Sequence, residues 1–192
     1  MITKMSDWKD RLVGQPAAVL GGGPSLPADM ARLPKDCVLI AVNYHAFYVC
    51  EPHFMVYNDQ PETDPLLEEA VRTQKAIRVS SDPTSNILFD VPVWTGFYSS
   101  NTAAWFAGWL GCDPIILCGM DCYQGEVKYC HPSDRDVPTH HYPLDFHTRP
   151  WIEEGRALVP HAERIRVMSG PLANIFPAYV DCSRANIGAP ES

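Results

Sequence analysis

The sequence contains no run of basic residues. Lys and Arg together number 15 against 23 Asp and Glu, a formal net charge of −8. Nucleic-acid backbones are held by clustered Lys and Arg, so this balance excludes nucleic acid as the main partner. It does not exclude a nucleotide gripped by a few local donors. No stretch reaches the ~18 consecutive apolar residues expected of a transmembrane helix, and no transmembrane segment is predicted. Met1 to Arg11 is polar and lacks the apolar core of a secretory signal. The cysteines are 7, an odd number, at Cys37, Cys50, Cys112, Cys118, Cys122, Cys130 and Cys182. Several lie in apolar runs, which predicts reduced, buried thiols and a cytoplasmic protein rather than a disulfide framework. Internal repeats and low-complexity blocks are absent as well.

What is present is an ordinary globular composition, 46% hydrophobic and 20% charged over 192 residues. That length predicts one domain over 1–192 with a sizeable core. The chain is organised around Ala17-Ala18-Val19-Leu20-Gly21-Gly22-Gly23-Pro24-Ser25-Leu26. Small and apolar residues run into three glycines, a proline and a serine: a buried strand, a turn that side chains would obstruct, and a helix start. Backbone N–H groups at such a turn can approach an anion closely, and phosphate is the natural one. The loop is neither a dinucleotide fingerprint nor a Walker loop, because it lacks the third spaced glycine of the one and the lysine of the other. A purely structural glycine turn remains the competing reading.

Further strands are predicted at Cys37 to Val42, Phe54 to Tyr57, Ala76 to Val79, Pro114 to Cys118 and Arg164 to Met168, with a short one at Val93-Trp94. Helices are predicted from Leu26 to Leu33, from Pro65 to Gln74, over the almost wholly apolar Thr102 to Leu110, and from Trp151 to Val159. Trp8 to Val13 reads as a helical turn, Ser80 to Val91 as loop, and the last dozen residues as a loose tail. The segment 123–150 is rich in Pro, His, Asp and Tyr, without a period, and reads as a lid-like loop. Apolar strands alternating with helices indicate an α/β, Rossmann-like fold: a mainly parallel sheet with helices on both faces. Ligands of such folds sit beyond the carboxyl ends of strands. Here those ends carry Gly21 to Ser25, Asn43, Asn58-Asp59 and Gly119 to Asp121.

These strand ends carry a resemblance. Gly-Gly-Gly-Pro-Ser-Leu is similar to the Gly-Asn-Gly-Pro-Ser loop of the metal-independent bacterial sialyltransferases that use CMP-sialic acid. It also resembles the loop of the 6-hydroxymethylpterin diphosphokinase-like family. Val42-Asn43 and Tyr57-Asn58-Asp59 resemble later asparagines of the transferases. Ser99-Ser100-Asn101-Thr102-Ala103-Ala104, then Leu110-Gly111, an apolar strand and Gly119-Met120-Asp121-Cys122-Tyr123-Gln124, follow a pattern common to both. The resemblance spans most of Ala17 to Tyr123. Beyond it, His140-His141-Tyr142 and Asp145-Phe146-His147 offer the nearest match to the transferases' general-base histidine, at His147. Gly22 departs from the pattern, standing where the transferase loop has asparagine.

The resemblance implies that Gly21, Gly22, Gly23 and Ser25 contact phosphate and that Asn43 and Asn58 bond the ribose or base. Ser99, Ser100 and Asn101 open a buried helix and supply a second polar end, by capping, by ligand binding or by both. Asp121 has three open roles: binding a metal, orienting a hydroxyl or capping a turn. Tyr123, Tyr129 and Tyr142 are candidate donors to a phosphate. The clusters His140, His141, Asp145, His147 and Cys118, Cys122, Cys130, His131 lack the spacing of established zinc motifs. Three functions stand: glycosyl transfer from a CMP-sugar with His147 as base and no cofactor; Mg²⁺-dependent diphosphokinase-like transfer; and non-catalytic binding of a nucleotide or sugar. The partner expected is a nucleotide or nucleotide-sugar, and homo-oligomerisation stays open.

Overall fold

The computed structural model describes residues 2–91, 98–132, 143–153 and 161–181. Strand β1 (Thr3–Lys4) is followed by β2 (Ala17–Leu20), α1 (Leu26–Met30), β3 (Val38–Val42) and β4 (Phe54–Val56). Then come α2 (Pro65–Thr73), β5 (Ile77–Ser80), β6 (Ile87–Leu88), α3 (Ser99–Trp109), β7 (Ile115–Cys118), α4 (Leu144–Glu153) and β8 (Ile165–Val167). The described strands form a single 8-stranded sheet in the order β1-β6-β5-β4-β3-β2-β7-β8. Every pairing is parallel.

The period of two along each strand sorts the core onto the two faces. Val19, Ile40, Phe54, Val56 and Leu117 pack with Ala103, Phe106 and Ala107 of α3 on one face. Ala18, Leu20, Ala41, Ile116 and Cys118 meet Leu26 of α1 on the other. Met55 meets Leu67 and Ala70 of α2 on that same second face. This is why β2 and β7 are apolar at every position: both faces are covered. Each fully buried Val, Leu or Ile adds about 1.5–3 kcal/mol of burial free energy. Helix α3 is buried nearly all round, as its composition predicts.

The direction of winding reverses at β2, with β3 to β6 on one side and β7 and β8 on the other. Chains leaving adjacent strands in opposite directions open a crevice at their carboxyl ends. That reversal positions the site. Register places Leu20 beside Cys118, so the glycine loop and Gly119 leave the sheet side by side.

Three sequence expectations need correcting. Ser80 to Val91 is not all loop: Ile87–Leu88 forms β6, pairing with β5 and with the unexpected β1. Two-residue strands have no period to read, and Thr3 is held by donating its N–H to the Asn86 carbonyl at 2.8 Å. The last helix begins at Leu144 rather than Trp151 and contains Pro150. Burial of His147, Thr148 and Trp151 along one face outweighs the bond that the proline cannot donate. Helix α1 ends at Met30, after which Arg32 and Leu33 donate to carbonyls only three residues back. The expected strand at Val93-Trp94, most of the stretch 154–159, and the tail beyond 181 lie outside the described residues.

Candidate functional site

A cavity of about 630 Å³ opens beyond the carboxyl ends of β2, β3, β4 and β7. Its floor is the glycine loop. Gly21 donates its N–H to the Cys118 carbonyl at 2.8 Å, and Gly23 donates to the Gly119 carbonyl at 2.9 Å. A Cβ on Gly21 would lie 2.5 Å from the Gly119 carbonyl oxygen, backbone that cannot give way. A Cβ on Gly22 would lie 2.7 Å from Cγ of His45. The loop is therefore side-chain-free because a strand end and an imidazole press on it.

Behind the floor, Ser25 donates its backbone N–H and its hydroxyl to the Asp121 carboxylate at 3.1 and 2.8 Å. Asp29 is buried and accepts the Gly119 N–H at 2.9 Å and the Ser169 hydroxyl at 2.8 Å. Ser25, Asp121 and Asn101 do not line the cavity. Ser25 and Asp121 fasten the glycine loop to the chain after β7. Asn101 is buried within the first turn of α3.

One wall carries asparagines. Asn43 donates from Nδ2 to Asp59 at 3.1 Å, and Asn58 donates from Nδ2 to Thr102 at 2.8 Å. The Asn58 N–H also reaches the Ser99 hydroxyl at 3.1 Å, joining the end of β4 to the start of α3. The two carbonyl oxygens, Oδ1 of Asn43 and of Asn58, are buried and accept no hydrogen bond from the described residues. A buried acceptor left in that state costs about 1–3 kcal/mol. Both residues line the cavity beside Ser99 and Ser100, where the first N–H groups of α3 have no carbonyl of their own helix to bond.

The far wall carries the rings. Tyr98 hydroxyl and His147 Nδ1 are 3.3 Å apart, and the Tyr123 ring centroid is 5.1 Å from that of His147. Burial pushes the Tyr98 hydroxyl up to about 12, so it stays protonated. Burial also raises Tyr123, although a hydrogen bond from Tyr129 opposes it. Lys128 donates from Nζ to the carbonyls of Tyr123 and Gly125, each at 2.7 Å. The backbone is strained here: Asn43, Cys122 and Tyr123 have φ of 53°, 52° and 56°. Left-handed conformations at non-glycine residues cluster at functional sites because only the surrounding structure holds them.

Among the described residues, no group of three or more His, Cys, Asp or Glu is arranged to hold a metal. Burial pushes the Cys122 thiol up to about 12 and raises that of Cys118 as well. His140, His141 and Tyr142 lie outside the described residues.

No family model and no curated protein matches the sequence. Solved structures do match. The sialyltransferase CstII of Campylobacter jejuni, in complex with the substrate analogue CMP-3FNeuAc, superposes with a TM-score of 0.60 at 16% identity, over 85% of this chain and 86% of that one. The sialyltransferase CST-II in complex with a trisaccharide acceptor and CMP gives 0.56 at 16% identity, over 85% and 86%. The monofunctional alpha-2,3-sialyltransferase Cst-I of Campylobacter jejuni gives 0.55 at 13% identity, over 86% and 81%. The chain has a sialyltransferase-like fold.

Within that fold, the expected residues divide cleanly. Gly21, Gly22 and Gly23 form the cavity floor, Asn43, Asn58, Ser99 and Ser100 one wall, and Tyr123 and His147 the other. Sequence reading missed His45, Tyr98 and Lys128, which also line the cavity. His45 had one available signal, its place two residues beyond Asn43 at a strand end. Tyr98 and Lys128 had none, since a lone tyrosine and a lone loop lysine carry no pattern. No helix among the described residues is long and apolar enough to cross a membrane.

Proposed function

We propose that the cavity binds a CMP-linked sugar and transfers its glycosyl group to an acceptor hydroxyl. The observation that carries the reading is the pair of buried carbonyl oxygens on Asn43 and Asn58 that accept no hydrogen bond from the described residues. Two acceptors set into a cavity wall suit a ligand rich in N–H and O–H donors, as a nucleoside is, and the glycine-loop floor suits its phosphate. The similar sialyltransferases solved with CMP and with CMP-3FNeuAc support the same ligand class.

In this reading the acceptor oxygen attacks the anomeric carbon as the bond to phosphate breaks, with inversion. CMP departs with the bonding electron pair, and the acceptor's proton passes to His147. For that, Nε2 must hold the lone pair, so Nδ1 carries the proton and donates it to the Tyr98 oxygen. Charge developing on the phosphate is met by the Gly22 N–H, since Gly21 and Gly23 already donate to carbonyls, and by the Tyr123 and Tyr129 hydroxyls. No metal enters these steps. Asp121, the carboxylate best placed by sequence for Mg²⁺, is engaged by Ser25, which weighs against the diphosphokinase-like alternative.

Calorimetric titration with CMP, CDP, UDP, GDP and ATP, each with and without Mg²⁺, tests the reading. Metal-independent binding of CMP or CDP, followed by CMP-sugar turnover, is the expected result. Binding of ATP alone, and only with Mg²⁺, would overturn it in favour of phosphoryl transfer. CMP affinity without turnover would leave a binder that does no chemistry.

A further inference from the structure

A second, smaller hollow of about 230 Å³ lies outside the main cavity, between the 3₁₀ turn His45–Tyr48 and helix α2. The transfer chemistry above makes no use of it. One side carries the rings of Tyr44, Phe47 and Tyr48. The other carries Leu66 and Glu69, three residues apart and so on one face of α2, with Gln74 just past its end. Two relationships join the hollow to the main cavity. Tyr44 lines both. Asp64, which lines the main cavity, caps α2 by accepting the Leu66 and Leu67 N–H groups at 3.0 and 3.2 Å. From there α2 leads to Gln74, about 15 Å along the helix at ~1.5 Å per residue. A chain of linked rings can follow that path from one site to the other.

Tyr48 is a platform set in place before any ligand arrives. Its ring stacks on His131 with centroids 4.1 Å apart and planes inclined by 14°, and it is still 55% exposed. His131 in turn lies against the cavity floor, its Nε2 2.8 Å from Nδ1 of His45. A ring held flat by a neighbour has little rotamer freedom left to lose, so stacking a ligand on it costs little further entropy. The hollow is smaller than the ~300–1,000 Å³ of drug-sized sites, and its size suits a single ring rather than a nucleotide. Aromatic faces accept the C–H face of a sugar, while the Glu69 carboxylate and the Gln74 amide offer acceptors and a donor to its hydroxyl edge. Glu69 is the charged side chain among the lining residues, and it disfavours an anionic ring.

We propose that this hollow is a distal acceptor subsite, holding a further ring of a neutral oligosaccharide whose reacting ring lies in the main cavity. That ring stacks on Tyr48 and bonds Glu69 and Gln74 through its hydroxyls. This rests on the glycosyl-transfer reading above and adds to it the acceptor's class, a neutral saccharide of more than one ring.

The test is NMR titration of the full chain, saturated with CMP, with galactose, lactose and lacto-N-neotetraose, neutral saccharides of increasing length. An unsulfated chondroitin tetrasaccharide is the anionic counterpart. Affinity rises about tenfold from galactose to the neutral tetrasaccharide, the worth of one good hydrogen bond, and the Tyr48 ring resonances shift only with the longer ligands. The chondroitin tetrasaccharide shows no such gain. Tyr48→Ala and Glu69→Ala return the neutral tetrasaccharide to the level of galactose and leave galactose and CMP affinity unchanged. Both side chains are exposed, so neither substitution threatens the fold. Equal affinity at every length, a gain retained in both variants, or an equal gain for the anionic tetrasaccharide overturns the proposal and leaves the nucleotide reading standing. So does a chain that binds CMP and no saccharide. Absence of CMP binding overturns the nucleotide reading, and the acceptor subsite falls with it.

Discussion

The Asp29 carboxylate accepts the backbone N–H of Gly119 at 2.9 Å, joining α1 to the end of β7 between residues 90 apart in sequence. It accepts the Ser169 hydroxyl as well, at 2.8 Å, and lies 3.2 Å from that of Ser25. One buried carboxylate thus fixes the glycine loop, the end of β7 and the segment after β8. Asp29→Ala leaves those donors without an acceptor in a dry place. Urea unfolding should show a loss of about 1–3 kcal/mol, with CMP affinity falling alongside because the floor of the cavity loosens.

The core under the site is tested at Phe106, fully buried and packed edge to face on Phe54 with ring centroids 5.3 Å apart. Phe106→Ala should cost about 3–5 kcal/mol, read from the denaturation midpoint.

Asn43 separates function from stability. Its φ of 53° is left-handed, so Asn43→Gly relieves backbone strain while deleting a carbonyl that accepts no hydrogen bond from the described residues. The melting temperature should hold or rise, offset only by the exposed bond to Asp59. CMP affinity should fall about tenfold, the worth of one good hydrogen bond. Equal losses in stability and affinity would mean that the oxygen serves the fold.

For catalysis, His147→Ala should lower turnover of a CMP-sugar by about 10²–10⁴ while sparing CMP affinity. Tyr98→Phe removes the hydroxyl 3.3 Å from Nδ1. It should cost roughly tenfold in kcat and displace the pH–rate profile, a readout that a merely structural tyrosine would leave in place.

Alkaline stability follows from the thiols. Burial pushes Cys37, Cys112 and Cys122 from the ordinary 9.0 up to about 12. Between those values the unfolded chain releases protons that the folded chain retains. Stability is therefore fully present below pH 9.0 and is lost as pH rises through that window. Thermal melts across alkaline pH should show that decline, and Cys112→Ala should lessen its slope.

By itself the sequence determined the parallel sheet, its glycine loop and the asparagine-bearing strand ends. Each is written locally: apolar runs such as Val38 to Val42 have no exposed face to alternate with, and Gly21 to Gly23 mark backbone that must pass close to something. Tertiary structure decided what that something was. Gly22 is glycine because the His45 ring lies against it, and Ser25 faces Asp121 instead of the cavity. The His45–His131 pair, the Tyr98–His147 contact and the two-residue strands β1 and β6 join positions far apart in the chain. Such contacts leave no period or spacing to read, because each forms only after the sheet has brought its partners together.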